Sequence, residues 1–168
     1  ISIVDWIFKE QKNKKHMAHI WDFGGQDVYY PVHRFFLTEN SVFVLLASSR
    51  QNTHHFDYWI PTIYQFGGKS PIIIGQTCHD GNIVNWNDIG EYVASENFNI
   101  VKDQPKNYHE LNLPKGNKGL VQIKKSIINQ IINLPHYKKN VPKSWIAVRE
   151  MIYTLKSRNC ISYIDLKE

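Results

Sequence analysis

Two short, unbroken apolar runs restrict what this chain can fold into more than any other feature. They are "SVFVLLASS" (Ser41–Ser49) and "PIIIG" (Pro71–Gly75). A half-exposed strand alternates polar and apolar positions, so unbroken runs of this length predict strands covered on both faces. Between them "FDYWIPTIYQF" (Phe56–Phe66) repeats with a helical period and meets a stop signal at Gly67–Gly68. The alternation continues: "WNDIGEYVASEN" (Trp86–Asn97) predicts a helix, "YHELNL" (Tyr108–Leu113) a strand and "LVQIKKSIINQIINL" (Leu120–Leu134) an amphipathic helix. Ahead of the first run, "ISIVDWIF" (Ile1–Phe8) and "HMAHIWDF" (His16–Phe23) flank a charged tip, "KEQKNKK" (Lys9–Lys15), and predict a hairpin. A mixed aromatic stretch from Gln26 to Leu37 predicts a loop with a short helix. The fold class is α/β, a mostly parallel sheet with an antiparallel hairpin.

A chain of 168 residues is about one domain in length, and its 42% hydrophobic and 13% aromatic content is that of a globular protein. No apolar run approaches the roughly 20 residues of a membrane span, and no signal peptide opens the chain. Cys78 and Cys160 stand far apart, as free thiols of a reducing, cytoplasmic compartment do. The net charge of +5 is spread over scattered lysines. The tip Lys9–Lys15 reads as a solvated turn, and no nucleic-acid partner is expected.

The chemistry concentrates in "DFGGQ", Asp22–Gln26, at the end of a strand. Parallel sheets bind ligands beyond the carboxyl ends of their strands, and "TCHD" (Thr77–Asp80) lies past the end of another strand on the same rim. An acid there holds Mg²⁺ through water, the glycine at position 25 lets a backbone N–H approach a phosphate oxygen, and the glutamine orients an attacking water. Aspartate and glycine are also ordinary turn residues, so five residues alone admit either reading. "GGKS" (Gly67–Ser70) ends like a phosphate-binding loop. It lacks the required earlier glycine, since Ile63 stands there, and it leads into Pro71 and a strand, so it reads as a helix-ending turn.

With its context, "IWDFGGQDVYYPVHRFFLTENSVFVLLASSR" followed by "YWIPTIYQFGGKSPIIIGQTCHD" resembles the Roc domain, the Ras-like GTPase module of Roco proteins. The resemblance covers residues 1–134. Residues 135–140 would be a linker, and "VPKSWIAVREMI…ISYIDL" within 141–168 is similar to the start of the COR domain that follows Roc. The resemblance implies a Ras-like P-loop nucleotide-hydrolase fold, with guanine nucleotide (GTP or GDP) and Mg²⁺ as cofactors and homodimerisation through COR. It assigns the metal to Asp22, the terminal phosphate to Gly25 and the attacking water to Gln26, the catalytic residue. Thr77, Cys78 and Asp80 occupy the guanine-reading motif. Asp80 keeps the base-binding acid, whereas Thr77 and Cys78 replace asparagine and lysine, and Cys78 lacks the stem that covers the purine. The fifth motif falls near Leu113 and Pro114 and matches poorly. Roco proteins often carry leucine-rich repeats ahead of Roc, and none is visible here.

No G-x-x-x-x-G-K-[ST] occurs in these residues. The family places that loop, with the first strand and helix, upstream. That strand lies between those matching His16–Phe23 and Ser41–Ser49, so the sheet is expected to be incomplete, completed by upstream residues or by another chain. Two functions follow: a GTPase switch whose phosphate grip comes from upstream, or a nucleotide-independent scaffold with a degraded guanine site. Among lesser candidates, His16 and His19 point to opposite strand faces, and His54–His55 and Cys78–His79 are isolated pairs. Arg34 and Arg50 are arginine-finger candidates for which surface salt bridges are the plainer expectation. Trp21, Tyr58, Trp59 and Phe66 are partner-groove candidates for which core packing is the plainer expectation, and Trp145 is expected to anchor the second module.

Overall fold

Residues 2–9, 14–24, 30–50, 54–78, 97–101, 109–112, 116, 119–137, 139–140 and 142–154 are described by a computed structural model. The chain forms two units, Ile1–Tyr137 and Lys138–Glu168, each taken by itself. In the first, β1 (Ser2–Lys9) and β2 (Lys15–Asp22) form the antiparallel hairpin, with Ser2 opposite Asp22 and Lys9 opposite Lys15. A short helix α1 (Tyr30–His33) and a 3₁₀ turn (Arg34–Phe36) follow. Next come β3 (Phe43–Ser48), α2 (Phe56–Gly67), β4 (Ile72–Thr77), β5 (His109–Leu111) and α3 (Leu120–Ile132). β3, β4 and β5 pair in that order, parallel throughout. The predicted helix over 86–97 lies, but for Asn97, outside the described residues.

β4 is the core strand, because its side chains alternate between two apolar layers. Ile72 and Ile74 join Ala47, Phe56, Ile60, Ile63, Leu37 and Ile100 on the α2 side. Ile73 joins Leu111 and Ile123 on the α3 side. Each such isoleucine, fully buried, contributes about 1.5–3 kcal/mol. The stop read at Gly67–Gly68 is the turn that aims α2 back into β4. Gly68 has φ 59°, a left-handed conformation that glycine adopts without Cβ strain, and a Cβ there would come 2.9 Å from Glu39 Oε1. The Ser70 N–H donates to the Gly67 carbonyl at 3.2 Å, and β4 begins directly after, so "GGKS" is a helix-ending turn.

One expectation fails in an informative way. β3 is not covered on both faces: Val44 is 36% and Leu46 61% exposed. A Cβ built on Gly75 of β4 would meet both Leu46 and Ile123 of α3, which puts Leu46 on the α3 side of the sheet. The α3 cluster is centred on β4 and β5, leaving Val44 and Leu46 at its margin. The outer edge of β3 is also open among the described residues. Phe43 and Ser49 donate their N–H groups to the Pro71 and Thr77 carbonyls, both at 3.0 Å, so the intervening Val44, Leu46 and Ser48 turn theirs outward.

The hairpin is a separate two-stranded sheet, as expected of a sheet lacking a strand between β2 and β3. Val4, Trp6 and Phe8 share one face with Ile20, Ala18 and His16. At one end of that face Phe8, 5% exposed, stacks on His16 at 5.6 Å, and His16 packs on Tyr137 at 5.3 Å, just beyond α3. At the other end Val4 and Ile20 are 58% and 45% exposed. Isolated two-stranded ribbons are marginal in water, so the aromatic contacts at its ends hold this hairpin in place.

In the second unit, α4 (Lys143–Thr154) starts where the Trp145 N–H donates to the Pro142 carbonyl at 3.0 Å. Trp145 is 68% exposed, so it does not anchor this unit by burial. The second helical segment expected after it lies outside the described residues.

A close backbone approach joins α3 to β5. Gly119, at φ 84°, precedes α3, and a Cβ there would strike the Glu110 carbonyl oxygen. Gly116, at φ 75°, has open space around it. Gly116→Ala should therefore cost only the left-handed strain, about 1–2 kcal/mol, in urea unfolding. Gly119→Ala should cost at least about 2 kcal/mol more, through the clash as well.

Candidate nucleotide site

The rim at the carboxyl ends of β3 and β4 is well defined. Ser48 pairs with Thr77, the Ser49 N–H donates to the Thr77 carbonyl at 3.0 Å, and the Thr77 hydroxyl donates to the Ala47 carbonyl at 3.3 Å. The Cys78 N–H donates to the Leu111 carbonyl at 2.8 Å, fixing the next residue against β5. Thr77 thus ties two strand ends together through its hydroxyl. Cys78 is half-buried on the same rim. Asp22 ends β2, exposed, in the other sheet. The structure therefore brings Thr77 and Cys78 together and places Asp22 at a different strand end. Gly25, Gln26 and Asp80 lie outside the described residues, as do Leu113 and Pro114.

Around Asp22 the aromatic residues do something that the sequence reading missed. Phe23 meets His33 edge-on, with ring centres 5.0 Å apart, and His33 stacks on Trp59 of α2 at 5.5 Å and 24°. Phe36 touches Phe23 at 6.1 Å and Trp21 at 5.3 Å. His33 is 1% exposed. Burial disfavours its charged form and lowers its pKa below the ordinary 6.5. The available signal was a histidine embedded in aromatics, "VHRFF", behind "DFGGQ". Trp21 and Phe66, expected in the core, are 43% and 38% exposed; Trp21 meets the cluster through Phe36.

Arg34 corrects a second expectation. Its Nε–H donates to the Tyr58 hydroxyl at 3.3 Å, and its guanidinium lies 5.7 Å from the Tyr58 ring centre and 6.0 Å from that of Phe66. Cation–π contacts at exposed sites contribute about 0.5–1 kcal/mol. They hold Arg34 on α2 in place of the surface salt bridge expected for it. The histidines have local work too. His16 sits between Phe8 and Tyr137, and His19 Nδ1 lies 2.7 Å from Asp5 Oδ1 on the opposite strand face.

The parallel β3–β4–β5 sheet with its antiparallel hairpin is the fold expected of the Ras-like class, and comparison with known proteins agrees. Residues 1–80 match the family "Ras of Complex, Roc, domain of DAPkinase", and this part of the chain is a Roc domain of the Roco type. The chain is 31% identical over 147 residues to the probable serine/threonine-protein kinase qkgA of Dictyostelium discoideum, covering 84% of this chain and 9% of that protein. It is 30% identical over 179 residues to the probable serine/threonine-protein kinase roco5 of the same organism, covering all of this chain and 6% of that protein. The chain thus spans less than a tenth of either relative. The fold matches a Methanosarcina barkeri Roco2 RocCORdC structure bound to GDP, with a TM-score of 0.66 and 24% identity, over 98% of this chain and 48% of that one.

The buried His33 makes stability depend on pH with a defined sign. Its folded pKa lies below its unfolded value, so the unfolded chain binds more protons between the two. The contribution of the neutral ring is complete above pH 6.5 and is lost as pH falls towards and through the folded value. Thermal melts of the native chain and His33→Phe should separate progressively below pH 6.5, with the native chain losing more. Parallel pH curves would contradict this.

Proposed function

We propose that this chain is the larger part of a GTP-binding and GTP-hydrolysing Roc module, acting as a molecular switch in a longer Roco protein that dimerises through COR. The observation that carries the reading is the divided sheet. β2 and β3 fall in separate sheets, and both leave apolar side chains exposed: Val4 and Ile20 on the hairpin, Val44 and Leu46 on β3. Leu46 lies on the α3 side, and the Val4–Ile20 face packs at its far end against Tyr137, just after α3. A parallel strand between β2 and β3, followed by an amphipathic helix beside α3, would pair the open edge and cover these four side chains. A strand–loop–helix at that position puts a glycine-rich loop on the rim that carries Asp22 and Thr77.

In this reading Asp22 holds Mg²⁺ through water, Gly25 presents its N–H to the terminal phosphate and Gln26 orients the attacking water. Asp80 accepts from the guanine edge. Mg²⁺ held by Asp22 would supply charge neutralisation at the phosphates, and a lysine and a Ser/Thr from upstream would complete the grip. The Dictyostelium relatives, named as probable kinases, and the GDP-bound Methanosarcina structure support a place in signalling and a guanine nucleotide as ligand. A nucleotide-independent scaffold is the second reading. It draws on Thr77, whose hydroxyl bonds to β3, and on Cys78, too short to cover a purine.

Nucleotide analysis separates the two. A protein extended upstream by one strand, loop and helix should release stoichiometric GDP or GTP on precipitation, whereas the 168-residue chain alone should show no magnesium-dependent turnover. An extended protein that folds by circular dichroism yet stays empty after incubation with Mg·GTP would establish the scaffold.

A further inference from the structure

We propose that Phe23, His33 and Trp59 are positioning residues, whose ring stack fixes the strand end carrying Asp22 to α2 and thereby sets both ends of the segment that carries Gln26. The proposal rests on the GTPase reading for its catalytic consequence and on the geometry alone for the coupling. Phe23 follows Asp22 directly, and its ring lies 5.0 Å from His33 and 6.1 Å from Phe36. His33 closes the helical turn that begins at Tyr30, on the other side of residues 25–29 in the chain. One cluster therefore receives the chain entering that segment and the chain leaving it. Its foundation is Trp59, stacked under His33 at 5.5 Å and preceding Ile60, which is 0% exposed in the α2 core.

Rings in such a stack have few internal degrees of freedom, so a displacement of one is passed to the next and is not absorbed by rotamer changes. The imidazole is 1% exposed, which removes it from direct contact with nucleotide or attacking water. It acts through Phe23 and Trp59. A catalytic glutamine must be held within a fraction of an ångström, and stiffness at both ends of its segment is the property that helps.

Two measurements test this, and they fail separately. The 168-residue chain is labelled with 5-fluorotryptophan, and the Trp59 signal among its five tryptophans is assigned by Trp59→Phe. Phe23→Leu and His33→Phe should both move the ¹⁹F resonance of Trp59 and leave that of Trp145 in place. A Trp59 resonance indifferent to Phe23→Leu would overturn the coupling. In the upstream-extended protein, His33→Ala should lower kcat for GTP about tenfold with KM changed less than about twofold. His33→Phe, which keeps a ring, should recover most of the rate. An unchanged kcat, or equal losses in kcat and affinity with no rescue by phenylalanine, would overturn the positioning role. Should the unmodified extended protein neither bind nor hydrolyse GTP, the GTPase reading and the catalytic part of the proposal fall together, and the Trp59 response to Phe23→Leu still decides the coupling.

Discussion

Ile72, Ile73 and Ile74 point alternately to opposite faces of β4, and each is almost wholly buried. That alternation is the constraint on which the first unit depends. Ile72 and Ile74 fix α2 to one face, and Ile73 fixes α3 to the other. β3 and β5 then take their places by parallel pairing on either side. The rim is a consequence: Thr77 and Cys78 sit at the carboxyl end of a strand whose position is set from both sides. Their backbone bonds to Ser49 and Leu111 extend the same order outward.

Burial declines away from β4. β5 has α3 behind it, whereas β3 has only its α2 face covered, and the hairpin stands as its own sheet. What joins the hairpin to the rest is aromatic. Phe8, His16 and Tyr137 hold one end; Trp21, Phe23, Phe36, His33 and Trp59 hold the other. The second set gathers around the segment that ends β2 at Asp22. An interaction spread over flat rings suits such a segment, because it holds orientation without the directional demand of a buried ion pair.

Much of this fold was legible in the sequence, for local reasons. The hairpin is announced by two β-rich runs around a charged tip, α2 by its period and its terminal glycines, and β4 by "PIII". That no strand joins β2 to β3 among the described residues was legible only through the resemblance to Roc, since no local pattern marks what lies beside a strand. β3 shows the limit. Like β4 it reads as an unbroken apolar run, yet Val44 and Leu46 are exposed, because coverage is decided by neighbours and not by the run itself. The stack at His33 was hidden for the same reason, since Phe23, His33 and Trp59 are distant in sequence and none is unusual alone. Arg34 was misjudged because its partners, Tyr58 and Phe66, are aromatic, whereas charge patterns draw attention to carboxylates.

Among the described residues, β3 offers an open edge that an inserted strand would pair. Amide hydrogen exchange at Val44 and Leu46 tests it most directly, because their N–H groups turn away from β4 while those of Phe43 and Ser49 are bonded within the sheet. In the 168-residue chain these two amides should exchange far faster than those of Ile73 and Ile74, and in the upstream-extended protein they should become as slow. Protection of Val44 and Leu46 already in the shorter chain, or fast exchange persisting in a folded, extended one, would contradict the account.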